Sequence, residues 1–458
     1  MNKLISTNPA KGYKIIGSVG VSTIGEIKKK VAEAQEVKTL WKELGVKKRI
    51  ELIRPIYKEF LKRKKELALL ITREMGKTIR ESLDDIEWEA SYFNWFLENG
   101  ERYLSNEITS EDKRSIHKIV YEPIGVTGVI IPWNFPFDMF LWGVIPNLIV
   151  GNTVILKHSE ECPLTGKLIE KIMNKSGLPK GVFSEVYGDG KVGALLANQD
   201  IDLIWFTGST KVGKYLYETA GKKFIKAVLE MGGSNPAIVF NDVDINKITE
   251  KIFSKRFSNC GQVCDALKRL IVHQSIFDKV IEKLKQIAES KIIGDPEDMN
   301  TDIGSLVAER QLKLAEGQVR DAIKKGARVI TGGRRPKYLK GAYYLPTILT
   351  NIKKNMRVWK EETFGPVLVV MPFKTEKEAI KLANDTKYGL GAQIYTKDKK
   401  RALRIASKIE AGTIDINEGN HWLPCNPFGG YKESGMGREH GGFGLRELTQ
   451  IKVIAIEK

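Results

Sequence analysis

Three observations predict an α/β fold for this chain. Beyond Ile124 the apolar residues fall into runs of strand length that alternate with amphipathic stretches of helical length. The chain has 458 residues and 42% hydrophobic content, enough for two substantial domains that each bury a core. Its 42 glycines and 16 prolines are scattered, and no low-complexity block, internal repeat or long linker interrupts the pattern.

The first hundred residues read as helical. Thr23-Ile-Gly-Glu26 is a capping box, and Ile24, Ile27, Val31 and Ala34 follow as one apolar stripe. A second helical pattern runs from about Lys47 to Met75 and stops at Gly76. A third passes through Trp88, Tyr92, Trp95 and Phe96 before Asn99-Gly100, with its aromatic stripe serving as core. Strands are expected near 126–131, 153–156, 183–187, 203–206 and 225–229, with helices beginning near Phe137, Pro163, Lys191 and Lys211. This alternation predicts a parallel sheet covered by helices. Ligands of open α/β sheets sit beyond the carboxyl ends of the strands, so the loops at Trp133, Lys157, Gly188 and Gly208 should converge. The second half repeats the style, with strands near 237–240, 270–273 and 367–373. The segment 452–458 alternates as a short strand, and 115–122 reads as one arm of an extended hairpin. Such an exposed edge is aggregation-prone unless another copy covers it, so a homo-oligomer is expected.

The net charge of +18 raises nucleic acid or acidic membranes as partners. The basic runs Lys28-Lys-Lys30, Lys47-Lys-Arg49 and Lys62-Arg-Lys-Lys65 are nevertheless interleaved with Glu33, Glu36, Glu43, Glu51, Glu59 and Glu66 at helical spacings. That pattern is a solvated face laced with ion pairs, and no nucleic-acid motif accompanies it. The N-terminus lacks an apolar run before a cleavage site, and no segment offers the roughly 18 consecutive apolar residues of a membrane span. A soluble, cytoplasmic protein is expected, with neither nucleic acid nor membrane as partner. Four cysteines in so long a chain make no disulfide framework, and Cys260 and Cys264 lack the further ligands of a zinc site. Reduced thiols and no metal are expected.

The segment Phe257-Ser-Asn-Cys-Gly-Gln-Val-Cys264 carries the most chemistry. With Glu230-Met-Gly-Gly233 upstream and Glu361-Glu-Thr-Phe-Gly-Pro366 downstream, it resembles the signature set of the NAD(P)-dependent aldehyde dehydrogenase superfamily, over nearly the whole chain. The resemblance implies a Rossmann-like cofactor-binding domain (1–114 and 124–231), an α/β catalytic domain (232–432) and a small β-hairpin oligomerisation arm (115–123 and 445–458). In members of that family the arm segments pair between subunits, in dimers or tetramers.

Oxidising an aldehyde requires a tetrahedral adduct, because hydride leaves readily only from a carbon bearing an electron-rich oxygen. Cys264 is the expected nucleophile, passing through a thiohemiacetal and a thioester. Cys260 is read as a packed thiol. By resemblance, the Asn134 amide in Pro132-Trp-Asn-Phe-Pro136 and the Cys264 amide stabilise the oxyanion, although two prolines also make that segment a rigid turn. Glu230 matches the base that activates water to release the acid. Its presence implies a non-acylating enzyme, since the coenzyme-A-acylating relatives lack it.

Gly208-Ser-Thr-Lys-Val-Gly213 follows a strand and opens a helix, so its amides suit a pyrophosphate. The resemblance assigns Lys157 and Glu160 to the adenosine ribose, Glu362 to the nicotinamide ribose and Phe364 to the nicotinamide. Ile131, Pro132, Trp133, Ser159, Gly208, Ser209 and Gly213 complete the expected cofactor surface. A carboxylate at Glu160 accepts from a ribose hydroxyl and repels a phosphate there, so NAD is expected, with NADP possible.

The nearest-looking subgroup contains succinate-semialdehyde dehydrogenases. Those place an arginine where this chain has Ser258 or Trp142, and an unpaired carboxylate in an aromatic pocket costs several kcal/mol, roughly, to desolvate. Met139, Trp142, Trp422 and Phe428 instead suggest an apolar pocket for aliphatic or aromatic aldehydes, with Asp138 and His421 as polar contributors. Succinate semialdehyde remains the alternative substrate. A thiol esterase or hydrolase is the different-class alternative, because the same three groups serve ester cleavage.

Overall fold

The computed structural model describes residues 2–458. Six strands form a first sheet, in the spatial order Gly435–Met436, Lys226–Met231, Leu203–Gly208, Val126–Ile130, Thr153–Lys157 and Phe183–Val186. All neighbours are parallel except Gly435–Met436, which joins one edge antiparallel. The chain builds outward from Val126–Ile130 through Thr153–Lys157 to Phe183–Val186. It then returns to the other side of Val126–Ile130 with Leu203–Gly208. The crevice beyond this reversal is where open α/β sheets hold ligands.

Both faces of the sheet are covered, which is why its strands read as unbroken apolar runs. Val126, Ile155, Ile204 and Leu229 point to one face, against the helices Ile24–Glu43, Gly190–Ala197 and Thr210–Lys223. Val129, Val154, Trp205 and Val228 point to the other, against Pro136–Val150 and Pro163–Met173. Successive residues of one strand thus feed separate cores. Each fully buried Val, Leu or Ile contributes about 1.5–3 kcal/mol.

Seven strands form a second sheet, in the order Arg328–Thr331, Thr347–Thr350, Val367–Phe373, Leu267–His273, Asn235–Val239, Gly391–Tyr395 and Thr413–Ile416. It is parallel apart from the Arg328–Thr331 edge. Residues 232–234 alone carry the chain from the first sheet to the second.

A third sheet contains one strand more than expected. Ser115–Pro123 pairs antiparallel along its length with Thr449–Glu457 of the same chain. A further strand, Glu107–Glu111, lies on the other side of Ser115–Pro123. Its sequence, Glu-Ile-Thr-Ser-Glu, is too polar to signal a strand. The outer strand leaves Ile451, Val453 and Ile456 exposed.

The N-terminal region is less uniformly helical than its pattern suggests. Lys3–Asn8 and Lys14–Gly20 form an antiparallel hairpin around Gly12 and Tyr13, both at positive φ. Ser6 Oγ docks this hairpin by donating to Glu74 Oε1 at 2.6 Å. The expected helix from Lys47 to Met75 is three helices, Gly45–Ile53, Ile56–Lys62 and Lys64–Met75. Pro55, which has no N–H to give, marks the first break. Arg63, at φ −109 and ψ 16, marks the second. The chain does stop at Gly76, whose φ of +83 forms a left-handed cap. The next helix, Ile79–Leu104, runs straight through Asn99-Gly100. Gly100 is not a stop there, because a Cβ at that position would crowd Ile149 and Ile50. Among the described residues no helix is long and apolar enough to cross a membrane.

Arg49 fixes the helix that carries much of the site. Its buried guanidinium donates to the carbonyls of Ile149 and Val150, each at 3.0 Å, and to those of Trp41 at 3.1 Å and Lys42 at 2.9 Å. Two of these are C-terminal carbonyls of Pro136–Val150 that the helix cannot satisfy internally. Replacing Arg49 by Met keeps the apolar stem and strands these acceptors. Urea denaturation of Arg49→Met should show a loss of about 2–3 kcal/mol, whereas a change within the error of the extrapolation would refute the capping role.

Candidate active site

Residues 258–264 are bent into an arch by three consecutive left-handed residues, Asn259 at φ 49, Cys260 at φ 53 and Gly261 at φ 72. Two of the three are not glycine, so the strain must be held from outside. Arg256 supplies the clamp. Its buried guanidinium donates to Gly261 O at 3.2 Å, Thr363 O at 3.1 Å and Val367 O at 2.7 Å, and also to Gly365 O. A Cβ on Gly261 would strike the Gly365 carbonyl, so glycine permits the close approach of the two loops.

A reciprocal clasp joins this arch to the loop after Val126–Ile130. Asn259 Nδ2 donates to Asn134 O at 3.0 Å, and Asn134 Nδ2 donates to Gln262 O at 3.1 Å. Gln262 Oε1 in turn accepts from Val307 N at 2.9 Å. The Asn134 amide retains one further hydrogen for the cavity it borders.

Cys264 is partly exposed on the wall of a cavity of about 470 Å³. Its carbonyl is held by Asn235 Nδ2 at 3.1 Å and Lys268 Nζ at 2.8 Å. Lys268, which is buried, also donates to Gly233 O at 2.7 Å and Glu362 Oε1 at 2.6 Å. Burial pushes the Cys264 thiol well up from its ordinary value. Asp265 adds to the rise and Lys268 opposes it. Cys260 is buried and not on the cavity wall, as a packed thiol should be.

Of the residues singled out from the sequence, Pro132, Trp133, Asn134, Asp138, Met139 and Trp142 share the cavity wall with Cys264. Gly208, Ser209, Glu362, Phe364 and Trp422 share it as well. Trp133 packs edge-on against Phe364 at 5.5 Å, and Gln311 Nε2 holds the Phe364 carbonyl at 2.5 Å. Ser209 caps Thr210–Lys223, accepting from Val212 N at 3.4 Å, so the positive end of that helix opens at the wall.

Other expected residues lie elsewhere. The Glu230 carboxyl is not on the cavity wall; it is buried against Gly429 and Gly435, and neither oxygen has a hydrogen-bond partner. Burial and the neighbouring Glu439 push it well above the usual carboxylate range, against the pull of Arg438. Its strand pairs with Gly435–Met436, and this pairing draws the side chain toward the glycine-rich loop. Lys157, Ser159 and Glu160 stand outside the wall at the end of Thr153–Lys157, with Lys157 Nζ 3.4 Å from Glu160 Oε2. Ile131 is buried and donates its amide to Lys157 O at 3.1 Å. Gly213 serves packing, since a Cβ there would strike the Met231 sulfur.

Three expected pocket residues are displaced. Ser258 is exposed, facing a side opening shared with Lys255 and Asn417. His421 lies behind the wall between two carboxylates, 3.1 Å from Asp415 and 3.6 Å from Asp265. Phe428 is buried behind Trp422, with ring centroids 4.7 Å apart.

The structure also adds residues. Lys268 is buried inside the apolar strand Leu267–His273, where nothing in the sequence marks it as a hub. Asp85 and Trp88 join the wall from Ile79–Leu104, with Glu89 beneath them. Their signal was present as carboxylates at positions 85 and 89 of a stripe otherwise aromatic at 88 and 92. The pocket is thus apolar on its tryptophan faces and acidic between them. Burial drives Asp138 up to about 8, with Asp85 adding and Lys77 opposing, and it also raises Asp85 and Glu89.

The aldehyde dehydrogenase family model matches residues 2–454. An NADP(+) succinate-semialdehyde dehydrogenase of Escherichia coli, GabD, is 37% identical over 454 residues, covering 98% of this chain and 93% of that protein. A betaine aldehyde dehydrogenase of Bacillus subtilis is 38% identical over 417 residues, 90% of this chain and 85% of that protein. The NAD+ complex of a Bacillus cereus aldehyde dehydrogenase superposes with a TM-score of 0.96 at 32% identity, covering 100% of this chain and 93% of the other.

The acidic wall makes stability pH-dependent. A carboxyl whose folded pKa is raised contributes stability that is present below its unfolded value and lost as pH rises through the folded one. For Asp138 that window runs from 3.8 to about 8. Thermal melts should show Asp138→Asn gaining on the wild type as pH rises across this range, by about 2 °C or more in Tm. A constant difference between the two proteins would contradict the assignment.

Proposed function

The chain belongs to the aldehyde dehydrogenase family, and from that premise we propose how its own residues oxidise an aldehyde to a carboxylic acid. The observation that carries the reading is the placement of Cys264 beside Asn134 on one cavity wall, with the Cys264 carbonyl pinned by Asn235 and Lys268. The Cys264 thiol passes its proton to water in the cavity, and Sγ attacks the aldehyde carbon. A C–S bond forms and the carbonyl π electrons move onto oxygen. The free hydrogen of the Asn134 amide and the Cys264 N–H are the donors for that oxygen.

The cofactor is NAD(P). Glu362, Phe364, Gly208, Ser209, Pro132 and Trp133 form one continuous surface for it, and Lys157, Ser159 and Glu160 lie at the end of the neighbouring strand. This surface fits a dinucleotide. Gly208 and Gly232 border the cavity, and a Cβ on either would strike Phe206 or Glu362, so bare backbone lines the wall where a diphosphate and a ribose must come close. When bound, the oxidised nicotinamide supplies a hydride acceptor and a positive charge near the thiol. Lys268 holds Glu362 on the side of the cavity where the ribose is expected. Glu160 favours NAD.

Glu230 completes the turnover by taking a proton from the water that attacks the thioester, which frees the acid and restores the thiol. Its position off the wall means that the carboxyl must swing toward Cys264 and lose its proton there. In water it would titrate in the ordinary carboxylate range, so exposure supplies the change. Residues 1–114 and 124–231 serve the cofactor and 232–432 the chemistry. The exposed Ile451, Val453 and Ile456 on the outer strand of the third sheet suit assembly into a homo-oligomer, a dimer or a tetramer.

Absorbance at 340 nm with an aldehyde and NAD should rise for the wild type and stay flat for Cys264→Ala. Glu230→Gln should retain a first burst and lose about 100-fold or more in steady-state turnover, because release alone is blocked. Full turnover in either variant would refute the assigned role. Glu160→Ser should shift the ratio of kcat/KM for NAD over NADP by about tenfold toward NADP, and an NADP preference in the wild type would overturn the reading.

A further inference from the structure

Three tryptophans from three segments meet in the cavity: Trp88, Trp142 and Trp422. Trp142 and Trp422 stack with centroids 5.5 Å apart, and Trp88 stands edge-on to both at 6.4 and 6.0 Å. Two of the indole N–H groups end on carboxylates. Trp142 Nε1 donates to both oxygens of Glu89, at 3.0 and 2.9 Å, and Trp422 Nε1 donates to Asp265 Oδ2 at 3.0 Å. An indole that donates to a carboxyl gains electron density on its face, the face that attracts cations, as that carboxyl ionises.

The charges around this cluster do not balance. Asp85, Glu89 and Asp138 lie together, and among the described residues the one cation set with them is Lys77, which pairs with Asp85. Arg310 borders the same cavity but is engaged by Glu161 at 2.8 Å. His421 lies behind the wall between Asp415 and Asp265. Burial accordingly holds Glu89 and Asp138 toward their protonated forms while the site is empty. Two carboxyls left over from one lysine-carboxylate pair inside an aromatic wall are a costly arrangement for a pocket serving hydrocarbon chains. It is equally adverse to a substrate that ends in a carboxylate.

We propose that this wall seats a positively charged group, an ammonium or quaternary ammonium, at the end of the aldehyde substrate remote from its carbonyl. Asp138 serves as its counter-ion beside the Lys77–Asp85 pair, and Trp88, Trp142 and Trp422 form its cage. The assignment rests on the aldehyde-oxidising reading above and sets the substrate class for that site. Asp138 is a specificity-determining residue in it, while Glu89 is a positioning residue acting through Trp142.

The test compares γ-trimethylammoniobutanal with its neutral isostere, in which carbon replaces nitrogen, and with succinate semialdehyde, using the full chain and NAD. The cationic aldehyde should have a kcat/KM about tenfold or more above the isostere, and Asp138→Asn should shrink that ratio several-fold. A wild type that turns over the isostere or succinate semialdehyde as well as the cation overturns the proposal. So does an Asp138→Asn enzyme that keeps the wild-type ratio. A measurement on the wild type alone guards against misfolding of the variant: butyltrimethylammonium should inhibit oxidation of the isostere more strongly than butyrate, and the reverse order overturns the proposal. Turnover of none of the three aldehydes, with either NAD or NADP, refutes the underlying activity as well and so separates the two failures.

Discussion

One buried ammonium holds the working parts of this molecule in register. Lys268 Nζ meets Gly233 O, Cys264 O and Glu362 Oε1 within 2.8 Å. These atoms belong to the crossing between the two large sheets, the arch that bears the thiol and the loop that carries Glu362 to the cavity wall. An ammonium has three hydrogens, and here each has an acceptor of its own. The desolvation cost of burying the charge is offset by the Glu362 carboxylate and two carbonyl dipoles. Removing either partner alone would leave an uncompensated charge in the interior.

Arg256 does comparable work one layer below. It gathers carbonyls of the left-handed arch and of the loop that carries Thr363 and Gly365. The arch is strained at Asn259 and Cys260, and the reciprocal clasp with Asn134 keeps it so. Cys264 is thus positioned by hydrogen bonds that avoid its own side chain. Its sulfur remains free to face the cavity.

How much of this could be read from the sequence depended on the range of the responsible interaction. The strands at 126–130, 153–157 and 203–208 were legible because both faces of the sheet are buried, which leaves continuous apolar runs. The cap at Gly76 was equally plain. The N-terminal hairpin was missed because its strands are short and its turn relies on Tyr13 at positive φ. Much of the cavity wall was legible through motifs around Asn134, Cys264 and Glu362. Lys268 was not, since a lone lysine in a strand has no local signature. The acidic side of the pocket was half visible: Asp138 was named, but Asp85 and Glu89 were absorbed into a stripe read as core. The resting place of Glu230 was out of reach, because it depends on Gly435–Met436 returning from about two hundred residues away to pair with its strand.

The same return bears on how the protein comes into being. Thr449–Glu457 lies beside Ser115–Pro123, and Gly435–Met436 closes the edge of a sheet whose other strands end at Met231. A ribosome releases the chain from its N-terminus, so the first sheet forms with an open edge and the strand at 115–123 waits with one side unpaired. Both gaps persist until residues 435–457 emerge. During synthesis the half-made protein therefore displays two bare strand edges, and the C-terminal segment acts as the clasp that ends this exposure.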